Sequence, residues 1–265
     1  MSDAEVLLER VGAVAVVTLN RPRVGNTVNM ALVRHLEAIV DDIAADPGVR
    51  CVVLTGTGKL FCGGGDLDAF AEAGQETSAF LFELASTLHR SVLKLAGMDK
   101  PLVTLVNGPA AGAGLSLAIS GDFVLSAQSA HFTAAYGMVG LTPDGGMSWL
   151  LPRLVGMRRA QDIILGNRRI GADEAAAIGL VTRVVPDDAL REEGMALAAR
   201  LADGAIGAMA GARALLADSL QNDLALQLDL EVARITQAGA SAEAREGIAA
   251  FQERRKPQFA QRTPS

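Results

Sequence analysis

Three features of this 265-residue chain combine residue types and spacing that could do chemistry. Gly63-Gly64-Gly65, within FCGGGDL (61–67), and Gly112-Ala113-Gly114, within VNGPAAGAGLS (106–116), are glycine-rich turns after apolar, β-branched runs. A strand, a glycine turn and a helix start, in that order, leave backbone N–H groups with no acceptor in the helix. Two such turns could aim converging donors at one oxygen that becomes anionic during a reaction. The plainer reading is that the glycines only permit tight turns. The third feature is Asp144, in Pro143-Asp144-Gly145-Gly146 between apolar segments. A carboxylate set in an apolar pocket makes a proton shuttle, whereas an aspartate just before a helix at Met147 could equally be its N-cap.

Other chemistries fit less well. Gly112-x-Gly114 follows a strand, but the third glycine of a dinucleotide fingerprint falls on Leu117. Ser116 has no GxSxG context and reads as a packing residue. His35, His89 and His131 lack metal-ligand spacing; His89, mid-helix in LASTLHRSVLKL, stays open. No metal site is expected. Cys51 and Cys62 read as reduced core residues.

The elements that must position these groups follow from periodicity. Glu5–Glu9 and Ala13–Asn20 read as a hairpin around Val11-Gly12, and Met30 to Ala45 has helical spacing that Asp46-Pro47-Gly48 stops. Cys51–Thr55, Pro101–Val106 and Phe123–Leu125 read as buried strands. Helices are predicted over Ala79–Ala96, Leu115–Ser120, Arg158–Leu165 and Ala172–Ile178, with a short strand at Leu180–Val185. Strand, glycine stretch and helix thus occur twice, as a repeated unit without a fixed sequence period. From Ala189 the composition turns to alanine, leucine and charge. Helices at about Ala189–Ala202, Ile206–Leu220, Leu224–Ala238 and Ala242–Arg254 form an appendage or oligomerisation element.

The chain is half hydrophobic and one-fifth charged, enough for a sizeable core. Its net charge of −6 argues against nucleic acid as a partner. With no basic-then-apolar leader and no apolar run of ~18 residues, no membrane partner is expected and the cytoplasm is the expected location.

Six segments, in this order and spacing, resemble the enoyl-CoA hydratase/isomerase, or crotonase, superfamily over nearly the whole chain. They are LNRP (19–22), FCGGGDL (61–67), KPLVTLVNGPAAGAGLSLAISGDF (100–123), LTPDGG (141–146), GLVTRVVP (179–186) and FQERRKPQF (251–259). The resemblance implies an α/β fold, a ClpP-like spiral of ββα units over residues 1–190 as the catalytic core, with a helical trimerisation region over 191–265. It implies a homo-oligomer, a trimer or a dimer of trimers, and an acyl-CoA thioester substrate. No separate cofactor is implied, since coenzyme A enters as part of the substrate. The thioester carbonyl would be held by the N–H groups of Gly65 and Ala113. The remaining implied substrate contacts are Arg21, Arg23, Gly63, Gly64, Asp66, Leu67, Gly112 and Tyr136, with Lys256 reaching a neighbouring subunit's CoA phosphate.

The departures bear on the reaction. Hydratases of the family use two glutamates, and this chain has Ser116 and Tyr136 at those positions. Neither substitutes well as a base near neutral pH, which argues against the two-glutamate addition of water. Asp144 matches the base of another branch, which includes isomerases of bacterial phenylacetyl-CoA breakdown. The expected activity is therefore an enoyl-CoA isomerase of fatty or aromatic acid degradation. His89 and Asp144 also match the histidine and nucleophilic aspartate of 4-chlorobenzoyl-CoA dehalogenase, although Tyr136 replaces that enzyme's tryptophan. A hydratase using Asp144 atypically and a non-catalytic acyl-CoA-binding relative are also compatible with the resemblance.

Overall fold

A computed structural model describes residues 4–259. Val6–Val11 (β1) and Val14–Leu19 (β2) form an antiparallel hairpin. Met30–Ala45 (α1), Cys51–Gly56 (β3), Leu67–Ala73 (α2) and Thr77–Gly97 (α3) come after it. Next are Leu102–Val106 (β4), Ala110–Ala111 (β5), Ala113–Ala118 (α4), Phe123–Ala127 (β6) and His131–Thr133 (β7). Met147–Val155 (α5), Met157–Leu165 (α6), Ile170–Gly171 (β8), Ala172–Ala177 (α7) and Arg183–Val185 (β9) complete the sheets. Leu190–Ala202 (α8), Ile206–Asp218 (α9), Leu224–Gly239 (α10) and Ala242–Gln252 (α11) end the described chain.

The larger sheet has the order β1-β2-β3-β4-β6-β9, parallel from β2 onward, and the smaller has the order β5-β7-β8. β3 and β4 are almost wholly buried, as expected of parallel strands covered on both faces. Through the middle of the chain, each passage adds one strand to the larger sheet, a short strand or bridge to the smaller, and then a helix. β4-β5-α4 and β6-β7-α5 show this in full, and β3 with the bridge residue Cys62, paired to Ala110, and α2 is the earlier copy. The chain is thus a spiral of ββα units.

α1 forms where its periodicity predicts, burying Leu32, Val33, Leu36, Val40 and Ile43, with Asn29 as its N-cap at 2.9 Å from the Leu32 N–H. At its other end the Lys100 ammonium donates to the carbonyls of Ile43, Ala44 and Asp46. Three expectations are corrected. The helix predicted from Leu115 starts at Ala113, because Gly112 at φ +53° already acts as its N-cap. Of the strand predicted over Leu180–Val185 only Arg183–Val185 forms, while Leu180 and Val181 enter the core as a turn. α2, β5 and β8 form where the sequence pattern predicts no element.

The division at 190/191 falls at the start of a helix that belongs to the core layer. α8 lies across β2, β3, β4 and β6 and buries Leu190, Leu197, Ala198 and Ala202. A Cβ on Gly194 would fall 2.3 Å from Leu105 of β4, so the helix approaches the sheet closely. The part that stands off the core begins with α9. α9 and α10 bury no residue and α11 buries only Ala250. Arg213 pins α9 to the core, pairing with Asp122 at 2.8 Å and donating to carbonyls at the end of α3. Residues 1–3 and 260–265 of the two expected regions lie outside the described residues. Among the described residues no helix is long and apolar enough to cross a membrane.

Candidate active site

β3 and β4 are parallel neighbours, so the segments leaving their C-terminal ends run side by side. The Cys62–Ala110 bridge extends that pairing to the edge of the two glycine turns. Gly64 (φ +99°) and Gly112 (φ +53°) then break the chain in backbone regions that side chains disfavour. The turns touch: a Cβ on Gly64 would lie 2.9 Å from the Ala111 carbonyl oxygen, and one on Gly112 3.5 Å from the Gly64 Cα.

Several backbone donors of the two turns are used within the fold. Gly63 donates to Gly25 (2.8 Å), Asp66 to Val28 (3.0 Å) and Gly112 to Thr133 (3.1 Å). Among the described residues the N–H groups of Gly65 and Ala113 have no acceptor. Ala113 is the first residue of α4, where an orphan N–H is the rule. Both residues line one cavity of about 260 Å³.

Asp144 supplies the only charged side chain in that cavity wall, among the described residues. It is not an N-cap, because that position in α5 belongs to Gly146, with no side-chain cap. Its carboxylate Oδ1 instead accepts the Tyr136 hydroxyl at 2.5 Å, and its main-chain carbonyl accepts the Ser116 hydroxyl at 2.9 Å. Burial first, and then the adjacent Asp144, push the Tyr136 phenol well above its ordinary value, so it remains a donor. The two positions that depart from the family's glutamates therefore both touch Asp144. Ala135, which leads into Tyr136, is held at φ +65° with its N–H on Asn167 (2.7 Å), an alanine in a region costing about 1–2 kcal/mol. His89 stands behind the same turn, with its Nε2 accepting the Gly145 N–H at 3.0 Å, and lines no part of the cavity.

Of the other sequence-predicted contacts, Gly63, Gly64, Leu67, Gly112 and Tyr136 line the cavity, and Arg21, Arg23, Asp66 and Lys256 do not. Arg21 is tied to Asp66 (2.7 Å), Glu5 (2.8 Å) and the Thr27 carbonyl (2.6 Å). Burial disfavours the Asp66 carboxylate, but Arg21, Ala69 and Thr27 outweigh it and hold its pKa below the usual range. Arg23 and Lys256 are exposed.

Sequence reasoning missed several residues. Leu81, Leu84, Ala85 and Leu88, at helical spacing on α3, form one wall with Phe70, which packs edge-on to Phe80. Buried Asn26 joins the LNRP segment to the glycine loop, donating to the carbonyls of Thr57, Leu60 and Phe61 while accepting the Arg21 N–H. Its left-handed φ of +56° is one that asparagine tolerates, and GNT in the sequence was the available signal. Cys62 backs the loop; burial pushes its thiol up to about 12, so it stays a donor, to the Asn26 carbonyl at 3.1 Å.

Comparison with known proteins agrees with this architecture. A family model described as enoyl-CoA hydratase/isomerase matches residues 9–262. A Rhodobacter capsulatus protein named "probable enoyl-CoA hydratase" is 40% identical over 259 residues, spanning 98% of this chain and 99% of its own. The 1,2-epoxyphenylacetyl-CoA isomerase of Escherichia coli is 36% identical over 250 residues, spanning 93% and 94%. The crystal structure of an enoyl-CoA hydratase from Polaromonas superposes with a TM-score of 0.92 at 32% identity, over 96% of this chain and 98% of that one.

Proposed function

The chain belongs to the enoyl-CoA hydratase/isomerase family and has its crotonase fold, and from that premise we propose that it moves a C=C bond within an enoyl-CoA by proton shuttling on Asp144. The thioester oxygen receives the free N–H groups of Gly65 and Ala113. Asp144 takes a proton from C2 of a 3-enoyl-CoA through Oδ2, since Oδ1 is held by Tyr136. The electron pair left behind delocalises onto the thioester oxygen, where the two donors stabilise it. The Asp144 proton exchanges with solvent, and delivery of a proton from Asp144 to C4 completes the shift with no net consumption of water.

One observation carries this reading. Among the described residues the cavity wall has a single carboxylate, that of Asp144. Of the two positions where the family's hydratases carry glutamates, Tyr136 donates to that carboxylate and Ser116 to the same residue's main-chain carbonyl. One base and one oxyanion site suffice for migration, whereas adding water needs groups to orient and deprotonate it as well. The relatives' names point both ways, the isomerase at 36% and the hydratase at 40%. A panel of 2- and 3-enoyl-CoAs turned over in D2O and followed by mass spectrometry decides. Migration with deuterium uptake is expected from the wild type, and Asp144→Asn should lower it by about 10²- to 10⁴-fold. Net addition of water, or wild-type exchange in Asp144→Asn, would overturn the assignment.

The same reading makes α9–α11 the self-association element of a trimer or dimer of trimers. Its support is the apolar side chains they expose, among them Leu216, Leu224, Ile235 and Phe251. Arg23 and Lys256, exposed and making no ion pair among the described residues, suit the CoA phosphates. Sedimentation should give a mass of three or six chains; a monomer would count against this.

A further inference from the structure

His89 is the polar side chain beside the cavity to which the proton transfer gives no task. It sits half-buried on α3, next to the cavity residue Leu88. A backbone N–H can only donate, so the Nε2 that accepts Gly145 must carry a lone pair. The imidazole is then neutral, with its proton on Nδ1. The same bond occupies the lone pair with which His89 could itself act as a base toward the cavity.

The bond matters because of where it falls. Ser116 of α4 grips the carbonyl oxygen of Asp144, and His89 of α3 grips the N–H of Gly145. These are the two ends of one peptide unit, which is planar and rigid. Gripping both ends fixes its plane, and with it the backbone torsion that aims the Asp144 side chain. The Met147 N–H also reaches the Asp144 carbonyl, at 3.2 Å, and Tyr136 holds the carboxylate, but among the described residues His89 alone holds the N–H end of the peptide. Gly145 (φ +61°) and Gly146 (φ +85°) are consecutive left-handed residues before α5, and glycine offers no side chain to lock them. The turn lies close on its supports, since a Cβ on Gly145 would be 2.8 Å from the Ser116 Cβ.

We propose that His89 is a positioning residue for Asp144, setting the plane of the Asp144–Gly145 peptide and so the line along which the carboxylate enters the cavity. This rests on Asp144 being the proton shuttle. Without the bond the peptide pivots about its carbonyl contacts with Ser116 and Met147, and the carboxylate, left on Tyr136 alone, swings off line. A displacement near 1 Å costs about 10²-fold in rate.

The test uses the full-length enzyme and three variants. His89→Phe keeps a ring but loses the acceptor, and kcat for deuterium exchange should fall about 10²-fold with KM little changed. His89→Gln puts an amide oxygen where Nε2 was and should recover most of that loss, whereas His89→Asn, whose oxygen falls short, should not. Nitrogen NMR of histidine-15N-labelled wild type reads the tie without turnover. His89 should show a protonated Nδ1 and a bare Nε2, the reverse of His35, whose Nδ1 accepts the Glu5 N–H at 3.3 Å. A protonated Nε2 on His89, wild-type kcat in His89→Phe, or glutamine no better than phenylalanine would each overturn the proposal. Failure of the proton-shuttle reading shows separately, as wild-type exchange in Asp144→Asn.

Discussion

Replacing Ala113 by proline removes one backbone N–H and changes little else in the fold. Ala113 is the first residue of α4, the helix position proline prefers, because the N–H there has no intrahelical acceptor. The residue before a proline must avoid the right-handed helical region, and Gly112, at φ +53° and ψ −128°, is far from it. The helix should therefore form as before, with the thermal midpoint within a few degrees of wild type. The lost donor is one of the two N–H groups, those of Gly65 and Ala113, proposed to hold the thioester oxygen, and neither has an acceptor among the described residues. Removing one donor from such a pair costs about 10²- to 10³-fold in rate, or about 2.7–4 kcal/mol. The proline ring also projects toward the carbonyl, so Ala113→Gly, which keeps the N–H, is the control and should stay near wild-type activity. The assay is kcat and KM for deuterium exchange, alongside calorimetric binding of a saturated acyl-CoA. If folded Ala113→Pro turns over as wild type does, Ala113 is not an oxyanion donor and the pairing of the two glycine turns needs another purpose.

The same geometry gives three further outcomes. Gly114→Ala places a methyl 2.1 Å from the Cys62 carbonyl oxygen, a backbone atom, and should lower stability by about 1–3 kcal/mol, read as the urea midpoint. Lys100→Met strips the ammonium from the carbonyls of Ile43, Ala44 and Asp46, and should cost about 1–3 kcal/mol in the same assay. The Asp66 carboxyl is held below its ordinary 3.8 in the fold, so its stabilisation is complete above that value and is lost as pH falls through the lower folded value. Asp66→Asn should therefore be weaker than wild type at neutral pH by a margin that shrinks as acid is taken below 3.8, and a constant margin would show that Asp66 is not the group responsible.

Legibility in the sequence tracked the length of each pattern. α1 was plain because five buried residues at helical spacing lie between Asn29 and a stop at Asp46-Pro47-Gly48. β5 and β8 were invisible because two residues show no period. α2 was missed although its signal was present, for Asp66 is an N-cap with its carboxylate on the Ala69 N–H. At the site the two glycine turns were legible as turns, but their contact was not, since it depends on β3 and β4 being neighbours. The sequence points to the Ala69–Ser78 loop and the helix carrying His89 as the elements that shape the acyl pocket. Letters alone do not say which of their residues face it, and those are Phe70, Leu81, Leu84, Ala85 and Leu88. Asn26 and Ala135 take left-handed backbone that only the fold imposes.

Ser116 and Tyr136 show how a departure in sequence acquires meaning in space. As letters they mark two absent glutamates, which says only that one mechanism is disfavoured. In the fold they converge on one residue, with Ser116 on the Asp144 carbonyl and Tyr136 on its carboxylate. A half-buried phenol whose pKa is driven upward by its surroundings stays protonated and donates to one oxygen of the Asp144 carboxylate rather than serving as a second base. A glutamate at position 136 would instead place a second carboxylate within reach of the first, and like charges that close resist being ionised together. One base and two glutamates are thus alternative ways of furnishing the same cavity. Restoring glutamate at 116 and 136 should therefore depress exchange on 3-enoyl-CoA more than it raises hydration of 2-enoyl-CoA, unless Asp144 is removed in the same chain. Measuring both activities in the double variant and in the triple variant with Asp144→Ala checks this, and a double variant that keeps full exchange would show that the two arrangements do not compete.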